Sequence, residues 1–179
     1  MNLEKKSDEV FIALDPIVSW GDEEIAFVKR AALASPRRRA RICAHKSDHD
    51  ALHEMIIAIA ASSYIHPHRH IDKAESFHII EGEVDVVVFD DAGAVTDVIE
   101  LGGPGSGRRF YYRLSHSAFH TLLIRTDHLV VHEVTNGPFA PERTLLAPFA
   151  PPEKQQHAAH EYMKRVAGEV AKFRQARHA

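Results

Sequence analysis

The sequence predicts a mainly β fold, a barrel or sandwich of short strands with one helix before it and one after. Two observations carry this. Between positions 41 and 133, short apolar or alternating runs recur with turn residues between them, the pattern of a β-sandwich or barrel. On either side the apolar period changes to that of a helix. Ile25, Val28 and Ala32 recur ahead of the strands, and Ala159, Tyr162, Met163, Val166, Val170 and Phe173 form a stripe behind them.

Taken in order, residues 10–14 read as a short apolar strand that stops at Asp15-Pro16. A helix over about 22–34 opens on acidic residues and is followed by Pro36. Four arginines occupy five positions from Arg37 to Arg41; a solvated basic corner is expected, the alternative being a docking patch for an anionic substrate near the barrel mouth. Strands are expected over 55–60, from Tyr64 onward, and over 75–80, 83–90, 95–101, 108–114, 121–125 and 129–134. Asp90-Asp91-Ala92-Gly93 is a hairpin turn, and the glycine-rich loop 102–107 lacks the Gly-Lys-Ser/Thr ending of a phosphate-binding loop. A connector containing Pro141, Pro148, Pro151 and Pro152 leads to a helix over about 153–176, whose stripe packs on the barrel or across a dimer interface. The expected organisation is a strand-and-helix extension over 1–40, a barrel over 41–140 and the connector with its helix over 141–179, together one structural domain.

Composition narrows the function. At 179 residues and 45% hydrophobic content the chain is sized for a single globular core. A net charge of -3 disfavours nucleic acid or an anionic membrane as partner. Cys43 is the one cysteine, so no intramolecular disulfide forms, and no run has the length of a signal or membrane segment. A cytoplasmic protein with a small-molecule substrate or ligand is the expectation. Histidine is the outlier: of 14, eight lie between Ser63 and Glu133.

Those histidines include His66-Pro67-His68-Arg69-His70, followed by Glu75 and Gly82. Strand residues at i and i+2 share a face, so His68 and His70 can close on one metal ion, with Glu75 joining from the next strand. An open metal site needs three or four protein ligands, and a distant strand must supply the fourth. His120 is the leading candidate and His116 the alternative. Strand parity turns His78 and Arg69 away from the ligands. His66 shares the ligands' parity, but Pro67 disturbs the strand there, so a strand-entry histidine is expected, the alternative being a place at the metal or pocket rim. His128 and His132 share one face of the last strand; facing inward, they would be pocket residues able to carry protons. Tyr64, Lys73 and Tyr112 are candidate substrate contacts. His45, His49, His53, His157, His160 and His178 read as surface residues.

The spacing His68-x-His70-x4-Glu75-x6-Gly82 resembles the first sequence motif of the cupin superfamily. Ser35-Pro36-Arg37, Tyr64, Pro67-His68-Arg69-His70, Lys73, Glu75 and Phe77 further resemble the WbuC-type cupin metalloproteins. So do Phe89-Asp90-Asp91-Ala92-Gly93, His120-Thr121 and Glu133 with Gly137-Pro138-Phe139. In the second motif Ser115 and Ser117 stand where proline and glycine are usual, and Ile124 where asparagine is. The resemblance implies a double-stranded β-helix, or jelly-roll barrel, with metal held by His68, His70, Glu75 and His120. It also implies a homodimer and a setting in cell-surface polysaccharide metabolism. Three imidazoles and a carboxylate suit one divalent transition metal, Fe, Mn, Ni, Co or Zn. Such a centre suits metal-assisted isomerisation or epimerisation of a carbohydrate-like substrate. An iron-dependent oxygenase, or a metal- or sugar-binding module without turnover, are the other readings.

Overall fold

Strand alternation and the position of two helices decide the architecture. The computed structural model describes residues 1–178; His178, expected on the surface, lies outside the residues described at side-chain level. The elements are β1 (Leu3–Lys5), β2 (Val10–Ala13), α1 (Asp22–Ala34), β3 (Arg39–Cys43), β4 (Leu52–Ala60), β5 (His68–His70), β6 (Glu75–Glu81) and β7 (Glu83–Phe89). They continue as β8 (Val95–Gly102), β9 (Tyr111–Leu114), β10 (Phe119–Ile124), β11 (His128–Asn136), β12 (Thr144–Leu146) and α2 (Gln156–His178).

One sheet runs β1-β2-β3-β4-β11-β6-β9 and the other β12-β5-β10-β7-β8. Within this, β4 to β11 cross between the sheets at every connection except the β7–β8 hairpin. That gives two facing four-stranded layers, β4-β11-β6-β9 and β5-β10-β7-β8, the strand order of a jelly roll. The fold is therefore the expected double-stranded β-helix with an N-terminal and a C-terminal helix.

The core sits between the layers. Ile59, Phe77, Ile79, Val84, Val86, Leu101, Leu122, Leu129 and Val131 point inward from both sheets and pack together. Gly82 turns the chain from β6 to β7 at φ +85°, a conformation glycine adopts without strain. A Cβ there would also collide with the His128 carbonyl oxygen, so the glycine of the motif is required twice over.

Each helix covers an outer face. Glu24 accepts the Gly21 amide at 2.9 Å, and three acidic residues fill the first turn of α1. Val28 and Ala32 then pack on Ala40, Ile42, Ile56, Ala58 and Val130. β2 and β3 pair in parallel, with α1 as the crossover such a pair needs. β3 in turn pairs with β4, carrying the first sheet beyond the barrel. This reaches back across the boundary expected at residue 41, because the Arg39 and Ala40 backbones already belong to the sheet. β12 lies in the proline-rich connector, where the sequence predicts no strand; three residues suffice to pair with β5.

The stripe on α2 packs on the barrel: Tyr162, Val166 and Val170 meet Val87, Phe89, Val98 and Phe119. Beneath this helix Asp85 is fully buried on the outer face of β7. Its carboxylate accepts hydrogen bonds from Arg125 Nε at 2.7 Å and Arg174 Nη2 at 2.7 Å, with Arg108 at 3.5 Å. Arg174 belongs to α2, so this charge pair holds the helix in place. Among the described residues no helix is long and apolar enough to cross a membrane.

Removing the buried carboxylate leaves three guanidinium groups around an empty position. Asp85→Ala is expected to lower unfolding stability by about 3 kcal/mol in a urea titration. A loss below about 0.5 kcal/mol would mean that α2 is held by its apolar stripe alone.

Candidate metal centre

Three short strands meet at one end of the barrel. His68 pairs directly opposite His120 across β5 and β10, and His70 shares the inner face of β5 with His68. Glu75 opens β6 in the facing sheet and, by parity, points inward with Phe77 and Ile79. One potential ligand atom from each of His68, His70, Glu75 and His120 lies within 4.8 Å of the others. His120, rather than His116, enters this cluster, since His116 is exposed in the turn before β10. Ser115 and Ser117 enter that turn without a positive φ, so it forms without the glycine usual there.

The far nitrogen of each imidazole is tied down. His68 Nδ1 lies 2.9 Å from the His66 carbonyl, His120 Nδ1 3.0 Å from the Ala118 carbonyl, and His70 Nδ1 3.1 Å from Thr144 Oγ1. His68 and His120 donate Nδ1–H to backbone carbonyls and His70 Nδ1 is held by the Thr144 hydroxyl, so Nε2 of each ring faces the centre. His120 Nε2 is 3.0 Å from Glu75 Oε1 and His70 Nε2 is 3.2 Å from Oε2. The buried Tyr112 hydroxyl donates to Glu75 Oε1. Three convergent imidazole nitrogens and an anionic oxygen are the donor chemistry of a divalent transition-metal site, and the residues fit such an ion.

Charge in the centre follows from burial and contact. Burial pushes His68 down to about 3, with His120 adding to the effect, so His68 is a neutral imidazole near pH 7. Burial alone would raise Glu75, but its charge interaction and hydrogen bond with His120, with His70 adding, hold it well below the usual carboxylate range. Burial opposes the charged form of His120 too, yet Glu75 outweighs it and the net direction is upward. Burial and then Glu75 keep Tyr112 a phenol far above neutrality.

The cluster opens on a cavity of about 510 Å³. Ile57, Ile59, Ile65, Phe77 and Leu122 make its apolar wall, while Arg37, Arg39, Arg41, Lys73, Glu9 and Glu153 surround its mouth. Of the residues expected near the site, His66 and Lys73 line this cavity. Tyr112 reaches it only through Glu75. Tyr64 is directed elsewhere, its hydroxyl donating to the Pro151 carbonyl at 3.0 Å. His132 is not a pocket residue: it faces outward against Trp20, 5.6 Å between ring centroids, because Leu129 and Val131 take the inward parity of β11. His128 shares that outward parity. Arg69 points away and lies over the Phe119 ring, 4.4 Å from its centroid.

Two further expectations are corrected. His53 is buried rather than on the surface, stacked on His45 with 4.1 Å between centroids. The basic run is not a uniform solvated corner: Arg37 and Arg38 are exposed, but strand parity carries Arg39 and Arg41 to the cavity side.

Glu133, which the sequence offers only as part of the family resemblance and not as a site residue, belongs to the cavity. It follows Leu129 and Val131 on the inner face of β11, opposite Phe77, and lines the cavity. Burial, then the nearby Glu75 charge, raises it to about 7 against the pull of Arg41, Lys73 and His120. Its signal is a carboxylate standing where the alternation calls for an apolar side chain. Thr144 is missed because nothing in the connector marks β12.

Fold and site together define a jelly-roll barrel of the double-stranded β-helix class, in which three histidines and one glutamate form a cluster that could hold a metal ion. A sequence model of the Domain of unknown function (DUF6016) matches residues 21–101, which spans α1 through most of β8. No curated protein matches the chain. Among solved structures it is similar to protein SO0799 from Shewanella oneidensis, with a TM-score of 0.48 and 12% identity over 58% of this chain and 70% of that one. A variant of Bacillus subtilis oxalate decarboxylase gives 0.43 and 16% over 54% of this chain, which spans only 24% of the decarboxylase. The Schizosaccharomyces pombe Cnp3 cupin domain gives 0.42 and 10% over 55% of this chain and 64% of that one. These likenesses are remote, and the fold assignment stands on the strand order itself.

Metal binding must displace the proton that Glu75 helps His120 to hold. Affinity of the metal-free protein for Mn²⁺ or Zn²⁺ is therefore expected to fall as pH drops from 8 to 6, with proton release seen by calorimetry in buffers of different ionisation enthalpy. Affinity independent of pH would contradict the upward direction given for His120.

Glu133 gives a second expectation. Its carboxyl is raised from 4.5 to about 7, so between these values the folded chain keeps a proton that the unfolded chain has lost. Stability of the metal-free protein falls as pH rises through that window, by about 2–3 kcal/mol from this group. Glu133→Gln removes the decline, so its melting temperature should exceed that of the parent at pH 8 and match it near pH 4.5. Equal differences at both pH values would show that Glu133 does not titrate in the window.

Proposed function

We propose that this protein binds one divalent transition metal through His68, His70, Glu75 and His120 and uses it to isomerise or epimerise a small polar, carbohydrate-like substrate. The observation that carries the reading is Glu133, an inward carboxylate in the same cavity as the ligand set. When bound, the metal supplies Lewis acidity to a substrate carbonyl or hydroxyl oxygen. Glu133 takes the proton from the adjacent carbon and returns it, which requires a group that changes protonation near neutral pH. Tyr112 keeps Glu75 oriented, and the outward hydrogen bonds of the three histidines hold their Nε2 atoms in register. The apolar wall excludes water from the proton transfer. The motif residues support the finer placement among WbuC-type cupins, and with it a cytoplasmic homodimer serving cell-surface polysaccharide metabolism. The metal is Fe, Mn, Ni, Co or Zn, which elemental analysis distinguishes.

The test joins metal content to exchange. Purified protein should hold about one metal per chain, lost in His70→Ala and His120→Ala. Metal-loaded protein incubated in D2O with a panel of aldoses, ketoses and sugar acids should place deuterium beside the carbonyl of at least one. Glu133→Gln should keep the metal and slow that exchange by about 100-fold or more. Full metal content with no exchange across the panel would leave a binding protein in place of an isomerase.

A further inference from the structure

The charges at the cavity mouth do not balance. Arg37 is bonded to Glu9 and lies 3.6 Å from Glu153, and Arg39 Nη2 donates to Glu153 at 3.0 Å, so these two arginines are neutralised within the chain. Arg41 and Lys73 have no such partner: among the described residues no carboxylate lies within 4.0 Å of either. The Arg41 guanidinium has only the Met55 sulfur, 3.9 Å from Nη1. Both side chains are partly buried and line the same cavity as the four metal ligands. Arg41 comes from the inner side of β3, opposite Ile57, and Lys73 from the turn between β5 and β6, so they approach the cavity from different elements.

A partly buried cation without a partner loses hydration with no compensation unless a ligand supplies the opposite charge. Two of them bordering one cavity make an anion seat. We propose that Arg41 and Lys73 bind the carboxylate of the substrate, which makes the substrate class of this site a small hydroxylated carboxylic acid. The guanidinium fork matches the two oxygens of a carboxylate, and the ammonium adds a point charge beside it. A dianionic phosphate fits less well, because Glu75 and Glu133 stand in the same cavity and would repel the second charge. The inference rests on the metal-centre reading only for the hydroxylated part of the ligand; the anion seat itself lies outside the four ligands.

The test measures binding by calorimetry to metal-loaded protein, with metal content determined on every sample. The probes are matched pairs of carboxylates and neutral counterparts, from glycolate and ethylene glycol to glucuronate and glucose, together with inorganic phosphate. At least one carboxylate should bind about tenfold or more tighter than its neutral counterpart. Arg41→Gln and Lys73→Gln should each weaken that carboxylate by about tenfold while leaving neutral-ligand affinity and metal content unchanged. If no carboxylate is preferred over its counterpart, or if both substitutions leave the preference intact, the proposal is overturned. Phosphate binding above every carboxylate overturns it in favour of a phosphorylated ligand. If the parent protein takes up no metal, the same carboxylate preference measured on that metal-free protein keeps the anion seat while the metal reading fails, so the two fail separately.

Discussion

Burying the Glu75 carboxylate is the constraint on which this molecule is organised. An isolated ionised carboxylate inside a β-barrel costs about 5 kcal/mol after relaxation, far more than a single core contact returns. The chain offsets that cost by placing His120, His70 and the Tyr112 hydroxyl directly on its oxygens. Tyr112 on β9 and His120 on β10 are far from Glu75 in sequence, and only closure of the jelly roll brings them to it. Fold and donor set are therefore one constraint: a register slip by one residue on β6 would turn Glu75 to solvent and Ser76 inward.

The elements outside the eight barrel strands each add something the barrel lacks. β12 contributes Thr144, which fixes the His70 ring from behind. β3 extends the first sheet past β4 and brings Arg39 and Arg41 over the cavity mouth. β2 stands beside β3, held in parallel by the α1 crossover, so the N-terminal extension serves to position that arginine strand. α2 acts on the opposite face, where Arg174 answers the buried Asp85 and the apolar stripe seals sheet β5-β10-β7-β8.

The parts legible in the sequence were those governed by local period. Two-residue alternation identified the strands and put His68 with His70; the 3.6-residue period identified α1 and α2; and the His-x-His-x4-Glu-x6-Gly spacing located three members of the candidate cluster and a turn glycine. Where parity needed an absolute reference, the sequence offered two answers. His132 and Glu133 are neighbours on β11, and which of them faces inward depends on whether Val131 packs in the barrel or under α1. The structure puts Val131 in the barrel, so the carboxylate enters and the imidazole leaves. Long-range pairing was similarly illegible. A three-residue strand such as β12 carries no periodic signal, and the arginine run looked solvated because nothing local shows that β3 will edge a cavity.

With Glu133 inside, the cavity holds two carboxylates whose environments push them in opposite directions. Glu75 has hydrogen-bond donors on both oxygens and stays ionised; Glu133 has none within hydrogen-bonding distance among the described residues and is raised toward neutrality, partly by the Glu75 charge itself. A pair of this kind divides the work of a site: the partnered carboxylate serves as a fixed anion, and the unpartnered one as the group that exchanges a proton. The same division appears among the cations, where Arg37 and Arg39 are engaged by Glu9 and Glu153 while Arg41 and Lys73 remain free. The unpartnered groups of both signs border one cavity beside the four donors. Where the fold buries Asp85 it sets arginines on the carboxylate; the unmet charges of this cavity stand instead where a ligand would complete them.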